Sequence, residues 1–398
     1  MSTRPTTGRS SRPRVGPLAA NPGRAPALDV DALLDDPSTG IIVCCGSGGV
    51  GKTTTSAALA LRAAERGRHV VVLTIDPARR LAQALGIEEL DNTPRPVAAV
   101  RSPGGGSLDA MMLDMKRTFD EVVESQASPE KARQILDNPF YIALSSSFAG
   151  TQEYMAMEKL GQLHRDALRD GTYDLIVVDT PPSRSALDFL DAPERLSSFL
   201  DGRFIRLLLA PARGPARLMT AGLTIVTNAL TKVLGAQVLR DMQTFVAAFD
   251  TLFGGFRQRA QKTFELLQDD GTAFLVIASP EPDALREAAY FVERLSEDRM
   301  PLAGLVVNRA TQPPIGELSA DEAQAVAARL EKKGGDSVTA GLLKLHADRG
   351  RMVDREALLR ERFAAAHPAV PTVVVPALPT DVHDLDGLHE VGMLLAGG

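Results

Sequence analysis

The run Gly46-Ser47-Gly48-Gly49-Val50-Gly51-Lys52-Thr53 constrains this chain more than any other stretch. It fits the phosphate-loop pattern G-x-x-x-x-G-K-[ST], which requires a strand before it and a helix after it. Both are legible. Ile41-Ile42-Val43-Cys44-Cys45 is an unbroken apolar run suited to a buried strand, and Thr54 to Arg66 is alanine-rich helical sequence. In that setting the glycines let backbone N–H groups converge on a β-phosphate. Lys52 reaches the β- and γ-phosphates, and the Thr53 hydroxyl suits Mg²⁺. Gly46, Ser47, Gly48, Gly49, Val50, Gly51, Lys52, Thr53 and Thr54 are expected to hold a nucleotide. An ordinary glycine-rich turn is the bland alternative.

A chain of 398 residues suits one large α/β domain carrying an insertion. A net charge of −6 provides no basic field for nucleic acid or an anionic membrane surface, so no nucleic-acid partner is expected and at most peripheral membrane contact. The two cysteines, Cys44 and Cys45, are adjacent in the expected first strand and point to opposite faces, which excludes a shared metal site or disulfide framework. They favour a reducing, cytoplasmic location. Residues 1–30 read as a disordered tail: five arginines precede the first acidic residue, Asp29, and there is no apolar signal core. A basic arm for an acidic partner is the alternative. The most apolar long stretch, Phe204 to Leu230, is interrupted by arginines and prolines and falls short of a membrane span.

Short apolar runs end in polar residues at His69–Thr74, Leu175–Asp179, Phe274–Ala278, Leu305–Asn308 and Val373–Pro376, with Met111-Met112-Leu113 a weaker candidate. They read as buried strands of a mostly parallel sheet flanked by helices, whose ligands sit beyond the strands' carboxyl ends. The segments 115–170 and 187–268 show helical patterning without strand signals and suggest α-helical subdomain insertions in a domain spanning 31–398. A charged segment, about 316–364, reads as solvated helices around a break.

Two carboxylates follow the loop. Asp76, in Thr74-Ile75-Asp76-Pro77-Ala78-Arg79-Arg80, is placed to orient a water or to reach a metal through water, or merely to cap the next helix. Asp179 ends a four-residue apolar run in the manner of a Walker B strand and is positioned to hold a metal-bound water.

In order and spacing, Gly48 to Thr54, Asp76-Pro77-Ala78, Asp179-Thr180-Pro181-Pro182 and Asp188-Phe189-Leu190 resemble the arsenical pump-driving and tail-anchored-protein targeting ATPase family. That family belongs to the deviant Walker A class, which also holds MinD- and ParA-like proteins, and its actinobacterial branch looks closest. The resemblance implies a P-loop NTPase fold using ATP and Mg²⁺. It implies that Asp76 is the switch I aspartate activating water, Asp179 the Walker B aspartate, and Thr180 to Leu190 switch II. It implies that Asn308 recognises adenine and that Pro376-Ala377-Leu378-Pro379 lines the base; from local sequence alone, Asn308 equally reads as a cap or turn residue.

Departures from the family pattern are specific. Arg79 stands where switch I usually has histidine, and Ser183-Arg184-Ser185 where switch II has Thr-Gly-His. Ser47 occupies the position of the signature lysine, which in the family acts across a dimer on the partner's phosphates. A homodimer would lack that charge, so a heterodimer with a paralogue carrying the lysine is favoured over self-association, unless Arg79 or Arg184 supplies it. The zinc clasp of the eukaryotic targeting factors is also absent.

Met242, Phe245, Phe249, Leu252, Phe253 and Phe256 fall on one helix face, a core stripe or a groove for a hydrophobic protein client. Methionines 111, 112, 115, 155 and 157 keep the groove open as a reading. Ser147 to Tyr154 aligns with a family stretch joining the helical region to the nucleotide site, where Glu153 is either a coupling residue or an exposed helix-start glutamate. The function expected is a Mg-ATP-dependent switch ATPase handling a hydrophobic client or envelope partner. Alternatives are an ATPase subunit of an anion or metalloid exporter and a MinD- or ParA-like positioning ATPase, although residues 384–398 contain no lysine or arginine for a membrane-binding tail.

Overall fold

Seven parallel strands and one antiparallel edge strand form the sheet in this computed structural model, in the order β3-β4-β2-β5-β1-β6-β7-β8. The structure describes residues 25–76, 80–142, 151–181 and 258–397, apart from Ala99, Arg101, Phe140 and Gly335, together with Ser145 and Gly255. The strands are β1 (Ile41–Gly46), β2 (His69–Thr74), β3 (Arg95–Pro96), β4 (Ser107–Met112), β5 (Leu175–Asp179), β6 (Thr272–Ala278), β7 (Leu302–Ala310) and β8 (Thr372–Pro376). The expected strands are all present, and the Met111-Met112 candidate lies within β4.

The central strands are apolar throughout because helices cover them. Every residue of β1, β5 and β6 is buried, and each buried branched side chain there contributes roughly 1.5–3 kcal/mol relative to exposure. Helix α2 (Lys52–Glu65), rich in alanine, packs closely over β1, β2 and β5. It also meets the C-terminal helix, called α10 here (Leu385–Leu395). The remaining helices are α1 (Val30–Asp35), α3 (Arg80–Ala84), α4 (Met115–Gln126), α5 (Pro129–Leu136), α6 (Thr151–Asp170), α7 (Pro282–Glu297), α8 (Ala320–Lys332) and α9 (Ser337–Ala366).

Register sets the site. Thr74 of β2 and Cys44 of β1 both pair with Asp179 at the end of β5. The strand that feeds the phosphate loop therefore lies beside the strand that delivers the buried aspartate, and Thr74 flanks it on the other side. Between β7 and β8 the register slips, with Val307 paired to Val374 and then Ala310 to Pro376, which gives β7 an extra residue at Asn308-Arg309.

Several expectations fall on particular elements. Residues 115–170 form α4, α5 and α6, with short breaks at 127–128 and 137–138 among the described residues, and 258–267 are helical too. The rest of the expected insertion, 187–254 and 256–257, lies outside the described residues, as do all six residues of the stripe, Met242, Phe245, Phe249, Leu252, Phe253 and Phe256. The charged segment forms α8 and α9, the first with a capping box in which Ser319 Oγ accepts from Glu322 N while Glu322 Oε2 accepts from Ser319 N. The expected tail ends before residue 30: Ala27 bridges to Thr372, Thr372 N donates to Pro26 O at 2.7 Å, and Val30 is buried. This short addition to the β8 edge satisfies backbone groups that would otherwise be exposed. Methionines 111, 155 and 157 are fully buried, so they fill the core and present no adaptable surface.

Candidate functional site

The loop after β1 is built by close backbone approach. Gly46 (φ 151°) has Ile277 O only 2.1 Å from where a Cβ would stand, so no side chain fits at that point. Gly49 and Gly51 also have positive φ, at 78° and 92°. The loop leads into α2 at its N-terminus, where unpaired N–H groups and the helix dipole favour an anion. Lys52 Nζ is buried and donates to Gly46 O (3.0 Å) and Ser47 O (2.7 Å). Burial pushes the Lys52 ammonium below its ordinary range, while Asp179, Cys45 and Asp76 act in the opposite direction.

Behind the loop stands a compact polar cluster. Asp179 is fully buried, and its Oδ2 accepts hydrogen bonds from Thr53 Oγ1 (2.8 Å) and Thr74 Oγ1 (2.9 Å). Its Oδ1 is buried without a hydrogen-bond partner. Desolvation lifts the carboxyl to a pKa of about 6 despite the two hydroxyl donors. An aspartate with one unanswered oxygen beside a threonine hydroxyl fits a hydrated divalent cation. Thr180 Oγ1 donates to Cys44 O (2.8 Å) and ties the start of the following loop to β1. Asp76 follows β2, and its N–H donates to Thr74 Oγ1 (3.3 Å).

The β7 bulge supplies the opposite side. Asn308 Nδ2 donates to Val50 O (2.9 Å), and Arg309 Nη1 donates to Gly49 O (3.0 Å), so adjacent residues grip adjacent loop carbonyls. Arg309 has φ 60°. A cavity of about 1020 Å³ is lined by Gly49, Gly51, Lys52, Thr53, Thr54, Asp76, Asn308, Pro376 and Leu378, gathering most of the sequence-derived site. A second cavity of about 610 Å³ lies on the other side of the loop, against Ser47, Gly48, Gly49 and Val50, with Ser279, Glu281, Glu287 and Met352. Gly46 and Asp179 line neither. Arg79 and Ser183-Arg184-Ser185 belong to stretches that the structure leaves undescribed, Glu153 lies in the first turn of α6 with its side chain undescribed, and switch II is described only at Thr180 and Pro181.

Three residues escaped the sequence reading of the site. Thr74 was visible only as the polar end of a strand, and Arg309 only as the neighbour of Asn308. Glu356 has no local signal at all: from the middle of α9, its Oε2 accepts from Thr311 N (2.8 Å) and its Oε1 from Thr311 Oγ1 (2.6 Å), just beyond the bulge.

A sequence profile of the family described as anion-transporting ATPase matches residues 39–333, which include the loop, Asp76, Asp179 and Asn308. The chain belongs to that family. ATPase GET3 of Malassezia globosa is 26% identical over 318 residues, covering 79% of this chain and 84% of that protein. ATPase BagA of Mycobacterium tuberculosis is 22% identical over 364 residues, 88% of this chain and 91% of that protein. The arsenical pump-driving ATPase of Acidiphilium multivorum is 32% identical over 158 residues, but these are 39% of this chain and 26% of that protein. The anion-transporting ATPase profile stops before α9, β8 and α10, so Pro376 and Leu378 lie beyond the matched residues, on the wall of the cavity of about 1020 Å³. Among the described residues no helix is long and apolar enough to cross a membrane.

Proposed function

We propose that this chain is a Mg²⁺-dependent switch ATPase, converting ATP and water to ADP and phosphate. The observation that carries the reading is the joining of Thr53 and Thr74 to one oxygen of buried Asp179, whose other oxygen is left without a partner beside the phosphate loop. Thr53, Asp179 and Asp76 would hold the cation, which would shield the phosphates' negative charge. Lys52 exchanges the carbonyls of Gly46 and Ser47 for β- and γ-phosphate oxygens. Asp76, on the cavity wall, orients the attacking water, while Asn308 and the Pro376–Leu378 segment flank the adenine. Thr180, tied to β1, connects the nucleotide to the segment after β5.

The coupled task we assign is handling of a hydrophobic protein client or an envelope partner in the cytoplasm, in a dimer with itself or with a paralogue carrying the signature lysine. The motif resemblance and the similarity to ATPase GET3 support this reading. The buried methionines give it no help. Metalloid activation is less well supported, because burial pushes the Cys44 thiol up to about 12 and the Cys45 thiol up as well, leaving no thiolate to ligate. Calorimetry with Lys52→Ala tests the core of the proposal. Loss of ATP affinity by about 100-fold or more is expected, and unchanged affinity overturns it.

A further inference from the structure

Ser47 leaves the phosphate loop without the cation that its first variable position carries in the resembled family, and the structure offers a different side chain close by. Gly49 and Arg309 are the two residues common to the linings of both cavities that flank the loop. Arg309 is exposed, and its guanidinium is hydrogen-bonded to a neutral carbonyl, Gly49 O, rather than to a carboxylate. Its backbone is held in the left-handed region, uncommon for arginine, by the β7 bulge that also aims Asn308 at Val50. Loop anchoring alone does not require a cation, since Asn308 already ties the neighbouring carbonyl with a neutral amide.

We propose that Arg309 is a catalytic cation acting in cis: when ATP is bound, its guanidinium exchanges Gly49 O for a phosphate oxygen and supplies from β7 the charge that Ser47 does not. The proposal rests on the ATPase reading above. In the step concerned, a water oxygen bonds to the γ-phosphorus as the bond to the β,γ-bridging oxygen breaks. The electron pair of that bond goes to ADP, and the water's proton ends on the released phosphate. Negative charge therefore grows on the bridging oxygen, where a guanidinium with several fixed donors stabilises the transition state more than the bound substrate.

The test uses the full chain with Arg309→Gly and Arg309→Lys. Glycine accepts a φ of 60° without strain, so Arg309→Gly removes the guanidinium while preserving the bulge, and its thermal midpoint should equal or exceed that of the parent. Turnover should fall by about 100-fold, with ADP affinity changed by less than about 3-fold, and Arg309→Lys should recover about 10-fold of the loss. Turnover of Arg309→Gly within about 2-fold of the parent overturns the proposal. Equal weakening of ATP and ADP with unchanged turnover overturns it too, by making Arg309 a loop anchor only. A parent chain that binds no ATP in the same calorimetry refutes the ATPase reading itself, a result distinguishable from either variant outcome.

Discussion

The side-chain nitrogen of Asn308 lies 2.3 Å from the position a Cβ would occupy on Gly51, so the Asn308 contact to Val50 O exists only because residue 51 has no side chain. Residue 51 also has φ 92°, which an L side chain rarely adopts. Gly51→Ala therefore combines backbone strain with a displaced amide. We expect a loss of about 2 kcal/mol or more in stability and no measurable nucleotide affinity. In the double variant with Asn308→Gly the clash vanishes and the strain stays, so calorimetric melts should give a combined loss smaller than the sum of the two single losses. Strict additivity would show that the two residues do not meet.

Asp179 predicts an unusual pH dependence for the nucleotide-free protein. Its folded pKa, about 6, lies above its unfolded value near 3.8. Between these values the folded protein binds the extra proton, so this carboxyl's contribution to stability is greatest at acid pH and falls as pH rises, levelling off above about 6. Asp179→Asn, which can still accept from Thr53 and Thr74, should melt like the parent near pH 4 and be more stable at pH 8 by roughly 2 kcal/mol. The same variant should lose the advantage that Mg²⁺ gives to nucleotide binding. A stability difference that does not grow with pH would mean that Asp179 is hydrated, not desolvated.

Ser47 faces a cavity of about 610 Å³ whose lining includes Glu281, Asp283 and Glu287, so a lysine there has both room and carboxylates to attract it. Ser47→Lys should raise turnover of the isolated chain by about 10-fold or more. Dependence of the gain on protein concentration would mark action across a dimer, and concentration-independent gain would mark action within one chain. An unchanged rate would remove position 47 from catalysis.

The parallel sheet was legible because its central strands are buried on both faces and so appear as unbroken apolar runs such as Leu175–Val178 and Phe274–Ala278. The loop was legible because glycine, lysine and threonine each answer a separate steric or electrostatic demand at fixed spacing. Arg309 and Glu356 were not. Their roles depend on a register slip between β7 and β8 and on a contact from α9 to Thr311 spanning 45 residues, neither of which leaves a local pattern. Met111, Met155 and Met157 were ambiguous because the same flexible side chain fills a core gap or a binding groove, and only burial distinguishes the two. The helix-start pattern Ser319-Ala320-Asp321-Glu322 was available and would have fixed the beginning of α8.

The carbonyls of Gly46 and Ser47 hold the ammonium of Lys52. A free lysine side chain has roughly 2 kcal/mol of rotamer entropy, and here that freedom is surrendered when the chain folds instead of when a nucleotide arrives. Binding is then an exchange of acceptors around a cation already in place. Because Gly46 is pressed against Ile277 O, the pairing of β1 with β6 is what fixes one of those two acceptors. Core substitutions that loosen this pairing, far from any phosphate, should weaken nucleotide affinity in proportion to the mobility they allow the lysine.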